Sequence, residues 1–232
     1  MPVTGRTKLG RTLGPMPALL TRRAAITAAL AAAAAPAYAE RGAPSESWAM
    51  PATAAAHPAF EQWTRPSRTR RLALDVPVVT DAGAPTMLGD WLNRRPTILV
   101  IWATWCAPCL RESRDLARLS ARLENADAHL AIRALQAFDP APAQEARRTL
   151  ARLEADGLVG ARASRMAERF LIELFGRTAD SQNRIGLPAM LLIGPDGSEV
   201  ARHTGLIEGS RGGYTYWRDR ATFEFLMGFG NA

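Results

Sequence analysis

Two cysteines are the residues whose type and spacing most directly indicate chemistry. The chain contains only Cys106 and Cys109, with Ala107 and Pro108 between them. They follow the β-branched, apolar run 97–103 and precede a helical pattern that continues to about residue 123. A strand that leads into C-x-x-C at the start of a helix predicts a thiol pair that cycles between the reduced and the disulfide form.

The start of the helix gives the two sulfurs different roles. Unpaired backbone N–H groups and the positive end of the helix dipole lie there, and both stabilise a thiolate. Cys106 is therefore predicted to be the attacking sulfur. Cys109, one turn into the helix, would resolve the mixed disulfide that this attack produces. Pro108 suits the first helical turn, where its missing N–H is not needed.

Other uses of the cysteines fit the sequence less well. A structural zinc site would need two further Cys or His ligands, whereas His57, His129 and His203 are scattered singly. A static disulfide across two residues would close too small a loop to stabilise the fold much. We therefore predict no metal site and no cofactor beyond the redox-active pair. One alternative stays open: a non-catalytic protein that binds and delivers Cu(I) on the two thiolates, which are soft ligands.

Glu112 is a charged residue on the apolar side of a predicted helix. Cys109, Glu112, Leu116 and Leu119 fall on one stripe of a 3.6-residue period, and that stripe continues to Leu123. The pattern predicts that the Glu112 carboxyl is buried, which raises its pKa. A carboxylate in that place could accept the proton of the Cys109 thiol when resolution begins.

Hydrophobic patterns elsewhere predict an α/β domain. Predicted strands fall at 72–79, 97–103, 129–137, 189–193 and 198–204, and predicted helices fall at 89–93, 142–155, 164–175 and 217–227. The first strand turns at 81–83 to form a small hairpin with 86–88, and 189–204 forms another. The unit 97–137 has a right-handed crossover, so its two strands are parallel. Together these elements predict a central mixed sheet flanked by helices.

The N-terminus has the pattern of an export signal. Basic residues end in Arg22 and Arg23, the Ala-rich run 24–35 follows, and Ala37-Tyr38-Ala39 suits cleavage near Ala39. The apolar run is shorter than the roughly 20 residues that span a bilayer, so anchoring by an uncleaved signal is less favoured. The arginine pair resembles a twin-arginine signal, and Sec export remains the alternative. We predict a signal at 1–39, a flexible linker at 40–71, a domain at 72–232 and a periplasmic location.

The net charge of +7 does not indicate nucleic acid as a partner. Five of the 29 basic residues and none of the 22 acidic ones fall within residues 1–39. The rest of the chain holds 24 basic against 22 acidic residues, so the excess belongs mostly to the N-terminus. We therefore expect no nucleic-acid binding.

The segment Trp102-Ala103-Thr104-Trp105-Cys106-Ala107-Pro108-Cys109, with Glu112 and Ile185-Gly186-Leu187-Pro188, resembles the active site of TlpA/ResA-like thiol-disulfide oxidoreductases of the thioredoxin family. The resemblance covers about residues 72–210. It implies a thioredoxin fold with an N-terminal β-hairpin and a helical insertion. It also implies a cis peptide bond before Pro188, which faces the cysteines, and a Leu187 backbone that pairs with substrate as an added strand. Trp105, which precedes Cys106, and Pro108, which lies between the cysteines, are expected at the same substrate-binding surface.

The resemblance also implies a function and partners. These are reduction of protein disulfides in cytochrome c maturation or copper-site assembly, and electrons that arrive from a membrane thiol transporter of the DsbD/CcdA type. We expect the protein to be a monomer. The chain departs from cytosolic thioredoxins at Val100, where they have a buried Asp, so Glu112 is the remaining candidate for proton transfer. The segment between the second strand and Pro188 is more helical than the usual insertion, and it borders the site.

Overall fold

The computed structural model describes residues 48–176, 185–210 and 212–231. Within them the chain forms an eight-stranded mixed sheet in the order β1-β8-β7-β4-β5-β6-β2-β3. The strands are β1 Arg70–Arg71, β2 Pro77–Thr80, β3 Pro85–Met87, β4 Thr97–Trp102, β5 Ala131–Gln136, β6 Val159–Ala163, β7 Ala189–Ile193 and β8 Ser198–Thr204. The helices are α1 Ala52–Ala55, α2 Leu88–Leu92, α3 Ala107–Asn125, α4 Ala143–Arg152, α5 Arg165–Phe175 and α6 Arg220–Gly230. Short 3-10 helices occupy Pro58–Phe60 and Tyr216–Arg218.

Strand β4 lies in the middle of the sheet. It pairs in parallel with β5 and antiparallel with β7, and all of its residues are buried. Alternate side chains point to opposite faces, so Ile98 and Val100 enter one core layer while Leu99 and Ile101 enter the other. An uninterrupted apolar run is the pattern that a strand covered on both faces requires.

Helices cover both faces of this sheet. The layer on one face is formed by α3 and α6 with help from α1 and α4, through side chains such as Leu119 and Phe225. The layer on the other face is formed by α2 and α5, through Leu88 and Leu171. The α/β prediction is thereby confirmed, as are the hairpin of β2 and β3 and the parallel pairing of β4 with β5.

The predicted helical insertion contains a strand that the sequence analysis missed. Between β5 and β7 the chain forms α4 and α5 as expected, and β6 lies between them. This strand pairs in parallel with β5 and antiparallel with β2, and it joins the N-terminal hairpin to the rest of the sheet. Its residues, Val-Gly-Ala-Arg-Ala, are short of β-branched and aromatic types, so local propensity gave no signal.

The linker prediction is wrong for residues 48–71, because ordered structure begins well before Leu72. Phe60 and Trp63 are buried in the core layer around α3 and α6. The Phe60 ring stacks on Phe225 at 5.3 Å between centroids. The Trp63 indole N–H donates to the Tyr216 hydroxyl at 2.9 Å, and that hydroxyl donates to the Ala59 carbonyl at 2.7 Å. The composition of this segment, rich in Ala and Pro, did not indicate that Phe60 and Trp63 pack into the core.

The predicted signal at 1–39 and the first part of the predicted linker lie outside the described residues. None of the helices within the described ranges combines the length and the apolar character that crossing a bilayer requires.

The buried ring of Phe60 yields a stability prediction. Replacement Phe60→Ala should lower the free energy of unfolding by about 3 kcal/mol, because a large side chain is lost from a packed layer. Urea denaturation followed by circular dichroism measures this change. The exposed Met166→Ala variant is the control and should change stability by less than about 0.5 kcal/mol. Equal, small effects of both changes would mean that residues 48–71 do not contribute to the fold.

Candidate active site

The two cysteines lie where β4 passes into α3. Cys106 is the N-cap residue of the helix, and its sulfur accepts a hydrogen bond from the Cys109 backbone N–H at 3.2 Å. The two residues form a disulfide, with their Cα atoms 5.3 Å apart. Pro108 lies in the first turn of α3, as predicted. Because the first N–H groups of a helix have no partner within it, the Cys106 sulfur faces donors that would stabilise a thiolate after reduction.

Glu112 is buried, as its position on the apolar stripe predicted. Its side chain is 3 % exposed. It lines a small cavity together with Cys109 and Pro188, and Leu150 and Leu158 also line that cavity. Neither carboxyl oxygen has a hydrogen-bond partner of normal geometry. The structure thus places an unpaired carboxyl and the Cys109 side chain on the same cavity.

Burial is the main reason why the pKa of Glu112 rises to about 7 from its ordinary value of 4.5. The Trp217 indole N–H and the Ile207 backbone N–H lie close enough to lower the pKa somewhat. The negative charge of Asp115 raises it, and Arg111 lowers it. Since desolvation outweighs the opposing contacts, the group changes charge near neutral pH.

The segment after β8 covers this part of α3. Its 3-10 helix at Tyr216–Arg218 contacts α3 and places Trp217 beside Glu112. The next residue, Arg218, donates to the buried Asp115 carboxylate at 2.7 Å. Trp217 and Ile207 were not predicted as site residues, since both reach Glu112 only through the fold. No local pattern in the sequence could have identified them.

Leu187 and Pro188 belong to the segment that leads into β7. The Leu187–Pro188 peptide bond is cis, as the resemblance implied. Pro188 is buried on the cavity shared with Cys109 and Glu112, and Leu187 is half-buried against both core layers. The structure therefore brings Cys109, Glu112 and Pro188 together.

Trp105 occupies a different part of the site. Its side chain is 43 % exposed, and its indole N–H donates to the Phe138 carbonyl at 3.0 Å in the loop after β5. The neighbouring Thr104 is hydrogen-bonded to Asp139 in that same loop. The sequence analysis did not select Asp139. It could have been found, because the carboxyl ends of parallel strands meet at one edge of a sheet.

The described part of the chain contains no group of three or more His, Cys, Asp or Glu residues that could hold a metal ion. His203 lies on β8 and has its Nδ1 atom 2.9 Å from the Gln62 carbonyl. Its ring lies 6.2 Å from that of Trp63, so both of its identified neighbours are structural.

Comparisons with known proteins identify the fold. No family model matches the sequence. No curated protein matches it either. Among solved structures, a putative electron transfer protein from Aquifex aeolicus is similar with a TM-score of 0.51 and 16% identity, over 69% of this chain and 94% of that chain. The thioredoxin domain of a thiol-disulfide oxidoreductase from Bacteroides vulgatus is similar with a TM-score of 0.49 and 13% identity, over 70% of this chain and 99% of that chain.

The sheet topology and the position of the cysteine pair together define the fold class. This chain has a thioredoxin fold, in which a central mixed sheet is flanked by helices and preceded by a β-hairpin, and a cis-proline precedes the antiparallel neighbour of the central strand. Its cysteine pair forms a disulfide at the start of the helix that follows the central strand.

The unpaired Glu112 carboxyl yields a prediction for the oxidised protein, in which the cysteines do not titrate. Since the pKa in the folded state is raised to about 7 from 4.5, the folded state binds the proton more tightly than the unfolded state. The contribution of this group to the free energy of unfolding is fully present below pH 4.5 and is lost as the pH rises through 7. The total loss is about 3 kcal/mol. Glu112→Gln should remove that loss.

Urea unfolding of both proteins between pH 4.5 and 8 measures the difference. Glu124→Gln, an exposed change on the same helix, is the matched control and should keep the pH dependence of the parent. Parallel pH curves for the parent and Glu112→Gln would refute the raised pKa.

Proposed function

We propose that this protein is a periplasmic thiol-disulfide oxidoreductase that reduces disulfides of other proteins through Cys106 and Cys109. The observation that carries the proposal is the unpaired, buried Glu112 carboxyl on the cavity of Cys109. A pair with only a structural role needs no proton acceptor, whereas a pair that cycles must release protons each time the disulfide forms.

The proposed cycle starts from the dithiol. The Cys106 thiolate attacks one sulfur of a substrate disulfide, a mixed disulfide forms, and one substrate thiolate leaves. The Cys109 thiolate then attacks the Cys106 sulfur, the bond between Cys106 and the substrate breaks, and the second substrate thiolate leaves. Two electrons pass to the substrate, and the protein ends as the disulfide. A dithiol reductant must then reduce the Cys106–Cys109 disulfide again.

Glu112 provides the proton acceptor for the second step. With a pKa of about 7 it is roughly half ionised at neutral pH, where a general base is most effective. Its negative form disfavours a second anion nearby, so Cys109 remains a thiol until the mixed disulfide makes the Cys106 sulfur open to attack. The carboxylate then accepts the Cys109 proton, and the resolving thiolate forms when it is needed.

The substrate is proposed to bind along the surface that Leu187 and Trp105 border. In this arrangement the Leu187 backbone pairs with an extended substrate segment, as the sequence resemblance implied. The half-exposed Trp105 ring offers an apolar face beside the disulfide, and Pro108 forms the rim at the helix start.

The proposed location and partners follow from the sequence. The export pattern at 1–39 favours the periplasm, and a membrane thiol transporter of the DsbD/CcdA type is the proposed electron donor. The proposed substrates are disulfides of apocytochrome c or of copper-site assembly proteins. A monomer suffices for this cycle, because every proposed catalytic group belongs to one chain.

The decisive test separates catalysis from copper carriage. The parent protein should reduce insulin disulfides with dithiothreitol as the electron donor. Cys106→Ser should abolish turnover, and Cys109→Ser should trap a mixed disulfide on Cys106, detected by mass spectrometry of a non-reduced digest. Trapping by Cys106→Ser instead would reverse the two roles. Stoichiometric retention of Cu(I) by the reduced protein, with no turnover of insulin, would reject the enzyme in favour of the carrier.

A second test concerns the proton acceptor. Glu112→Gln should reduce insulin roughly tenfold more slowly at neutral pH, because the acceptor is lost while the shape is kept. Its rate should lack the ionisation near pH 7, and its cysteines should titrate at lower pH once the repelling charge is gone. Stopped-flow rates and thiolate absorbance at 240 nm measure both effects. If Glu112→Gln matches the Glu124→Gln control in rate and titration, the proposed proton route is wrong.

A further inference from the structure

The turn between β4 and α3 determines where Cys106 lies. It consists of the residues after Trp102 and is closed by a hydrogen bond from the Cys106 N–H to the Ala103 carbonyl at 3.0 Å. Between these two residues, Thr104 and the Trp105 indole N–H donate hydrogen bonds to the loop after β5. The position of the attacking sulfur therefore depends on that loop.

Asp139 is the main anchor in the loop. Its side chain is buried, and its carboxylate accepts four hydrogen bonds. Two come from Thr104, at 2.6 Å from the backbone N–H and 3.0 Å from the hydroxyl. The Gln136 side-chain amide and the Ala141 backbone N–H supply the others, each at 3.0 Å. An amide in this place could accept only half of these bonds and would bring a donor toward donors.

The residue before Asp139 holds Trp105. The Phe138 carbonyl accepts the Trp105 indole N–H, and the Phe138 backbone N–H donates to the Glu168 carboxylate at 2.7 Å. Phe138 has φ of +55°, in the left-handed region that is unfavourable for an aromatic residue, so its conformation must be maintained by these contacts.

Residues of the insertion between β5 and β7 are hydrogen-bonded to the loop that contains Asp139. Glu168 belongs to α5, and Arg162, which donates to the Asp139 carbonyl at 3.2 Å, belongs to β6. The elements that separate β5 from β7 therefore hold the loop, and the loop holds the turn that carries Cys106.

We propose that Asp139 is a positioning residue for the cysteine pair. It contacts neither sulfur, and it acts by fixing Thr104 and Trp105 so that Cys106 remains at the helix start and the Trp105 ring borders the substrate. The inference deepens the proposed function and rests on it, because it assigns Asp139 a role in that same thiol-disulfide exchange.

The test compares Asp139→Asn with a matched control. Asp81 is another partly buried carboxylate that accepts a backbone N–H, that of Gly160 at 2.8 Å, and it does not contact the turn or the cysteines. Asp81→Asn should therefore leave the exchange chemistry of the cysteines unchanged. Asp139→Asn should slow reduction of the Cys106–Cys109 disulfide by dithiothreitol roughly tenfold and should raise the KM for insulin, since misplaced reacting groups lose rate steeply.

The readouts are chosen so that a purely structural role would not move them. Rates are measured at 15 °C, far below unfolding, and the Trp105 indole N–H is followed by NMR as a signature of the Phe138 contact. Exchange rates of Asp139→Asn within twofold of the parent, or an equal slowing by Asp81→Asn, would overturn the proposal. Should Asp139→Asn fail to fold, Thr104→Val removes one of the four bonds. That variant should slow exchange about threefold, and an unchanged rate would likewise overturn the proposal.

This experiment separates the two proposals. Dithiothreitol reduces the disulfide whatever the protein does in the cell, so its rate tests Asp139 even when the parent fails to reduce insulin. In that case the proposed function fails and the positioning role of Asp139 in the exchange is still decided.

Discussion

The central position of β4 is the constraint on which the site depends. Because β5 runs parallel to β4, its carboxyl end reaches the same edge of the sheet as Trp102, and the loop with Asp139 begins there. Because β7 runs antiparallel to β4, its first residue Ala189 pairs with Ile101 beside that edge. Pro188, the preceding residue, therefore lies at the same edge of the sheet. The start of α3, the Asp139 loop and Pro188 therefore converge without a long loop to place any of them.

Much of this arrangement was predictable, because it follows from local patterns. An uninterrupted apolar run can be buried only inside a sheet covered on both faces, which fixes β4. The apolar stripe of α3 can be buried only with Glu112 inside, and that residue is indeed 3 % exposed. The cis bond before Pro188 is a different case. Nothing in the local sequence indicated it, and the expectation came entirely from the resemblance.

The features that escaped prediction share a physical cause. Phe60 stacks on Phe225, and Trp217 lies beside Glu112, across long stretches of chain. Contacts of this kind leave no periodicity in either segment, since each partner is isolated among residues of another character. Strand β6 escaped for a related reason. Its five residues are held by the hydrogen bonds of β5 and β2 on either side rather than by their own propensity.

The contrast between Glu112 and Asp115 bears on why the site has an unpaired carboxyl. Both lie on the buried face of α3, one turn apart, and both face the segment after β8. That segment offers Arg218 to Asp115 and, one residue earlier, the Trp217 indole to Glu112. A carboxylate with only a structural role would be paired with a cation, as Asp115 is with Arg218. An apolar residue at that position would make the folded state more stable still. Leaving Glu112 desolvated instead costs stability and raises its pKa to about 7, where one group can both accept and release a proton.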